Sequence, residues 1–228
     1  MGKNHLKILA SPKTWHVKRK GLTFIAKPAA GPYGLNTGMP LNLLLRQVLV
    51  GANTAREVKK LLNFNEIKID GKIRRDPSFC VGIFDTIELA TDNCFRVILN
   101  ERGKLGVIKV SKEETSLKPC KITGKTMVKG RLQLNLFDGK NILVDDNAYK
   151  IGDTIILTLP ELKISKHLPL SRRSTIFLAG GKHIGEVGMV EDIVKDKVFY
   201  KNQKEELIET SKKYAFVVGE DKPLIALK

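Results

Sequence analysis

Apolar residues recur along the chain with spacings that change character twice. After Pro40, Leu41, Leu44, Leu45, Val48 and Leu49 fall at i, i+3, i+4, i+7 and i+8, which predicts an amphipathic helix with Pro40 at its first turn and Gly51 at its end. A second helix opens with Thr54-x-x-Glu57, a capping box in which hydroxyl and carboxylate satisfy the first orphan amides. Its apolar face is Ala55, Val58, Leu61 and Leu62, leaving Arg56, Lys59 and Lys60 together on the other side. Ile67-Lys68-Ile69, the turn Asp70-Gly71 and Lys72-Ile73-Arg74-Arg75 then predict a β-hairpin, and Ile87 with Leu89 a further strand.

Beyond residue 95 helical spacing nearly disappears. Val97/Leu99 and Val107 flank a turn at Arg102-Gly103, and Leu132/Leu134/Leu136 and Ile142/Val144 flank another at Asp138-Gly139. Ile155–Leu159 is a short apolar strand closed by Pro160, so the region reads as a small barrel or sandwich. From Ile176–Ala179 the chain enters Gly180–Val190, with four glycines in nine residues between strand-like flanks. That density demands backbone geometry a side chain would block, or close approach to a partner. Val198–Tyr200 and Ala215–Val218 complete a small all-strand unit. At the other end, residues 1–38 carry Pro12, Gly21, Pro28, Gly31, Pro32, Gly34 and Gly38, too dense for a long helix. Trp15, Phe24, Ile25 and Tyr33 are too apolar for a linker, which predicts an arm that orders on meeting a partner. Trp15 itself reads as a packing anchor more readily than as a base-stacking platform.

Charge sharpens the picture. Of the net +16, +9 falls on the first 56 residues, which contain no Asp or Glu, and +7 on the remaining 172. Such self-repulsion is relieved by a polyanion, and nucleic acid is the usual one. Attraction to anionic lipid is the other reading, but Lys13–Lys20 lacks a long apolar face. At 42% hydrophobic and 28% charged the chain can bury cores. It contains no apolar run long enough for a membrane span, and its start does not resemble a secretory signal. Cys80, Cys94 and Cys120 are widely spaced, neither a disulfide frame nor a zinc ribbon, and suit a reducing cytoplasm.

Catalytic patterns are missing. His5, His16, His167 and His183 give no i, i+4 metal pair, and no nucleophile elbow or phosphate loop occurs. Asp145-Asp146 reads as a solvated turn, since neighbours on a strand point to opposite faces. No catalytic residue, metal site or cofactor is therefore expected. The binding candidates are cations: Lys7, Lys13, Lys18, Arg19 and Lys20 in the arm, Arg56, Lys59 and Lys60 on the second helix, and Lys72, Arg74 and Arg75 on the hairpin. Lys182 and His183 join them, although an ordinary tight turn explains that pair equally well.

These residues resemble a known family. The helix–helix–hairpin, with Ala55-Arg56-Glu57-Val58-Lys59-Lys60 and Ile67-Lys68-Ile69-Asp70-Gly71-Lys72, is similar to the S-four-type RNA-binding module, and Gly180–Val190 resembles a KOW motif. With His5-Leu6-Lys7, Pro12-Lys13-x-Trp15, Gly31-Pro32 and Lys118-Pro119-Cys120-Lys121-Ile122, the order of parts resembles the archaeal/eukaryotic-type small-subunit ribosomal protein S-four-e family. The stop soon after Lys222-Pro223-Leu224 is similar to its archaeal form. The resemblance implies an α+β fold, mostly β: a basic N-terminal arm over 1–40, the RNA-binding module over 41–94, a strand-rich central domain over 95–172 and an SH3-like KOW barrel over 173–228. It implies a cytoplasmic structural protein that binds small-subunit rRNA beside neighbouring ribosomal proteins, with no reaction, cofactor, membrane or small-molecule substrate. Glu186 departs from the basic residue expected within the glycine segment, which weakens Lys182 and His183 as phosphate contacts. A KOW-type transcription or translation factor and an RNA-modifying enzyme remain the alternatives; residues 96–228 offer the latter no recognisable catalytic motif.

Overall fold

Short antiparallel strands carry nearly all the regular structure. The computed structural model describes residues 5–49, 52–64, 66–89 and 93–227. They divide into two units, Met1–Leu99 with Gly103–Thr115, and Asn100–Arg102 with Ser116–Lys228.

In the first unit, β1 (Leu6–Lys7) pairs with β2 (Phe24–Ile25), and β3 (Gly38–Pro40) leads into a helical segment. That segment starts as α1 (Leu41–Leu43) and continues as a π turn, Leu44–Val48. The amide of Leu49 donates to the carbonyl of Leu44 at 3.0 Å, five residues back. An ordinary helix was expected from the apolar stripe, but the chain winds wider, and Leu43, outside that stripe, is buried with Leu41, Leu44 and Leu45. Gly51 and the Val48 side chain lie outside the described residues. The second helix, α2 (Ala55–Phe64), buries Val58 and Leu62 while Ala55 is exposed.

The hairpin of β4 (Lys68–Ile69) and β5 (Lys72–Ile73) turns through Asp70 at φ 51° and Gly71 at φ 72°, the paired left-handed geometry that such a turn requires. After β6 (Cys80–Gly82), which pairs with β3, come β7 (Thr86–Glu88), β8 (Cys94–Leu99) and β9 (Leu105–Val110), and then the short α3 (Lys112–Thr115). The sheet runs β5-β4-β7-β8-β9 and ends at Val110.

The described part of the N-terminal arm is held to this unit by long-range contacts. Trp15 is fully buried, and its indole N–H donates to the Gly38 carbonyl at 2.8 Å. The Leu105 amide donates to the Thr14 carbonyl at 2.7 Å. The Tyr33 hydroxyl donates to Asp85 at 2.5 Å, while the other oxygen of that buried carboxylate accepts the Gly82 amide at 2.8 Å. Proline and glycine density correctly excludes a long helix, but long-range contacts supply the order that local periodicity lacks.

The second unit begins with β10 (Leu117–Val128), whose first half pairs with β13 (Thr154–Thr158) and second half with β11 (Arg131–Leu136). With β12 (Asn141–Val144) and β14 (Lys163–Leu168) the order is β12-β11-β10-β13-β14. A second five-stranded sheet, β18-β17-β16-β15-β19, is built from β15 (Thr175–Leu178), β16 (Val187–Val194), β17 (Lys197–Lys201), β18 (Leu207–Ser211) and β19 (Ala215–Gly219). β13 is buried on both faces. Ile155 and Leu157 join a core with Cys120, Ile122 and Leu134, while Ile156 joins another with Leu168, Ile176, Val190 and Tyr200. This double burial explains its unbroken apolar run. Cys80, Cys94 and Cys120 are buried and form no disulfide among the described residues. No helix among the described residues is long and apolar enough to cross a membrane.

Candidate nucleic-acid interface

The helix α2 is positioned by its cap and its apolar side. The Glu57 amide donates to the Thr54 hydroxyl at 3.2 Å, and the Glu57 carboxylate accepts the Asn53 amide at 2.8 Å and the Thr54 hydroxyl at 2.9 Å. The Asn53 amide, then the Thr54 hydroxyl, hold the Glu57 carboxyl below its ordinary range, so this acid is committed to the helix start. With Val58 and Leu62 facing protein, Arg56, Lys59 and Lys60 are all exposed, at helical spacings of three and four.

On the hairpin, Lys72 and Arg75 are exposed. Arg74 is not equivalent. It is half-buried, its guanidinium lies 4.5 Å over the Phe79 ring, and its amide donates to the Ile67 carbonyl at 2.9 Å. In the arm Lys7, Lys13, Lys18 and Lys20 are exposed. Arg19 instead folds back, donating to the carbonyls of Leu9 and Ser11 at 3.1 Å and of Pro12 at 3.2 Å. It is an internal staple of the arm. Lys104, which no local pattern in the sequence singles out, performs a similar task, donating to the Trp15 carbonyl at 3.3 Å and to that of Lys13.

The glycine segment lies in the second unit. Lys182 is exposed, but His183 is half-buried with Nδ1 3.0 Å from Glu186, whose other oxygen accepts the Tyr200 hydroxyl at 3.1 Å. Burial, then the Glu186 carboxylate, pushes the Tyr200 phenol up, keeping it a donor. Glu186, the departure noted in the sequence, is thus the internal anchor of the loop. The glycines answer to close approach within the chain. Gly185 has φ 84°, and a Cβ there would lie 2.3 Å from the Asn100 carbonyl oxygen; one on Gly180 would lie 2.4 Å from the Tyr214 ring.

Several other cations are committed to the fold. Lys118 and Lys140 sit 3.2 and 2.9 Å from Asp138, a buried carboxylate. Burial alone raises Asp138, but the two ammonium groups outweigh it and hold the carboxyl low. Lys121 donates to the carbonyls of Lys212, Lys213 and Ala215 at 2.7, 3.0 and 2.8 Å, and burial pushes it down to about 8. All the exposed arm, helix and hairpin cations belong to the first unit, and Lys182 and His183 to the second.

Fold and surface define a class: a strand-built basic protein whose N-terminal unit presents exposed lysines and arginines on a capped helix, a tight hairpin and an ordered arm. Known proteins of that class match directly. Residues 91–164 match the Ribosomal family S4e and residues 1–35 the RS4NT (NUC023) domain. The chain is 35% identical over 99% of its length to a Small ribosomal subunit protein eS4 of Methanococcus aeolicus, covering 98% of that protein. Against the eS4 of Methanocella arvoryzae it is 38% identical, over 97% of each chain. The crystal structure of the 30S ribosomal protein S4e from Thermoplasma acidophilum matches with TM-score 0.71 at 28% identity, covering 81% of this chain and 96% of that one. The chain belongs to the ribosomal S4e family, in its archaeal form.

Proposed function

We propose that this chain is a structural constituent of the small ribosomal subunit that binds and stabilises folded small-subunit rRNA, supporting translation in the cytoplasm and making no reaction of its own. The observation that carries the reading is near-full-length similarity to eS4 proteins, coupled to an acid-free first 56 residues in which Lys7, Lys13, Lys18 and Lys20 are exposed. Lys7, Lys13, Lys18, Lys20, Arg56, Lys59, Lys60, Lys72 and Arg75 would meet phosphates, positioning the protein on RNA shape more than reading its sequence. Arg19, Arg74 and His183 would act indirectly, by shaping the segments that carry Lys18, Arg75 and Lys182. We read residues 173–228 as the SH3-like KOW barrel, a reading supported by the antiparallel order of β15–β19. Residues 1–40 form the arm, 41–94 the S-four-type module and 95–172 the central strand-rich domain, with neighbouring ribosomal proteins alongside.

The test is binding to small-subunit rRNA fragments across a salt series, with duplex DNA as competitor. Lys59→Gln with Arg75→Gln should weaken binding and lower the log–log salt slope by about 1.4 to 1.8, at roughly 0.7–0.9 per lost phosphate contact. Unchanged affinity and slope in the folded variant, or equal loss of wild-type protein to DNA, would refute it.

A further inference from the structure

An open groove of about 720 Å³ in the first unit lies outside the helix and hairpin surface. Ile8 and Leu43 line it as buried residues, while Leu22 and Phe24 stand over it 69% and 55% exposed. Four cations, Lys18, Lys20, Arg46 and Lys104, line it, and no acidic residue does among the described residues. The His5 ring lies 5.4 Å from that of Phe24, tilted by 56°, so the groove-lining Phe24 has an aromatic neighbour.

The cations differ in what they have left to give. Lys104 is tied to the arm carbonyls, and Arg46 donates through Nε to the Asn53 carbonyl at 3.2 Å, so both brace the walls. Lys18 and Lys20 are exposed and make no hydrogen bond or ion pair among the described residues. An apolar face with an exposed aromatic, lined by exposed ammonium groups and by no carboxylate among the described residues, complements an anion that carries a flat apolar part. Its volume lies within the ~300–1,000 Å³ of small-ligand sites. Paired bases of an A-form helix keep their faces stacked inside it, so a duplex cannot use Phe24.

We infer that this groove receives an unpaired nucleotide of RNA, its base against Phe24 and Leu22 and its flanking phosphates on Lys18 and Lys20. The inference rests on the rRNA-binding reading and adds to it a base-contacting site, where that reading supplies phosphate contacts only. An acidic protein segment is the competing occupant, and the charge pattern alone would admit it; the exposed aromatic pair favours the base.

The experiment uses the full chain, the rRNA fragment it retains, a fluorescent single-stranded RNA decamer, a duplex RNA of equal length and an oligoglutamate peptide. Phe24→Ala should weaken decamer binding roughly tenfold or more, the range for loss of one base–aromatic stack. Its salt slope should not change, because no charge is removed. Phe24→Leu, which keeps an apolar side chain on β2, should show most of the same loss, separating stacking from any disturbance of the β1–β2 pair. Lys18→Gln with Lys20→Gln should lower the slope by about 1.4. In the wild-type protein, a photoactivatable uridine in the decamer should crosslink within residues 22–25. Wild-type-like decamer binding by Phe24→Ala, crosslinks confined elsewhere, equal preference for the duplex, or stronger competition by oligoglutamate would each overturn the inference while rRNA retention stands. Failure of the wild-type chain to bind any rRNA fragment would overturn the underlying reading with it.

Discussion

Replacing Trp15 with alanine should loosen the whole first unit and not merely the arm. The indole is fully buried and donates to the Gly38 carbonyl. A buried tryptophan removes about 150–250 Å² from water, worth about 4–6 kcal/mol at ~25 cal/mol per Å². Large-to-alanine substitutions of aromatic core residues cost about 3–5 kcal/mol, so about 4 kcal/mol is expected. The assay is native-state hydrogen exchange read by peptide mass spectrometry, because it resolves the unit from the rest of the chain. At 1.4 kcal/mol per factor of ten, peptides from β6–β9 should exchange about a thousandfold faster in Trp15→Ala, provided their slowest amides open with the unit. Trp15→Phe keeps most of the buried ring and loses the donor, so about 1–2 kcal/mol, or roughly tenfold, is expected. If Trp15→Ala accelerates exchange only within residues 5–40 and leaves β6–β9 at the wild-type rate, the arm is a strap over a self-sufficient sheet and the reasoning fails.

Two further perturbations test the polar scaffold. Asp138→Asn should destabilise the second unit by about 3–5 kcal/mol, the usual cost of removing one partner from a buried pair, here because Lys118 loses its carboxylate. Since the folded Asp138 titrates below its unfolded value of about 3.9, its contribution is fully present above that pH and is lost as pH falls through the folded value. Acid unfolding of the variant should therefore be flatter below about pH 4, and an unchanged acid limb in urea titrations would contradict the assignment. Thr54→Ala should cost about 1 kcal/mol by removing the α2 cap, with Thr54→Ser close to wild type. Exchange of amides in 55–64 reports it, and equal protection in both variants would remove the cap from the account.

What the sequence makes legible here is local. Thr54-x-x-Glu57 and Asp70-Gly71 specify geometry within four residues, and both form as read. The glycine cluster was readable as a demand for close approach, but the approaching groups, Asn100 and Tyr214, are distant in sequence. The leucine run at 41–49 reads as one stripe because apolar spacing does not distinguish a bond four residues back from one five back. Among the cations the limit is sharper. Lys20 and Arg19 are neighbours and look alike in a list of basic residues, yet one stands in water and the other is spent on three carbonyls. Arg74 and Arg75 differ likewise, because the Phe79 ring takes the Arg74 guanidinium and leaves Arg75 exposed. Partner choice of this kind depends on where chain segments meet, which charge alone does not encode.

The strand Thr154–Thr158 serves two masters, with Ile155 and Leu157 turned to one core and Ile156 to the other. A chain released partway, with everything after residue 172 still to come, would present Ile156 and Leu168 to water without Ile176, Val190 and Tyr200 to cover them. During synthesis the central sheet is therefore expected to wait for the last fifty-odd residues before it becomes a finished surface. A copy cut short before Ile176 would carry that uncovered apolar stripe as a mark of its incompleteness.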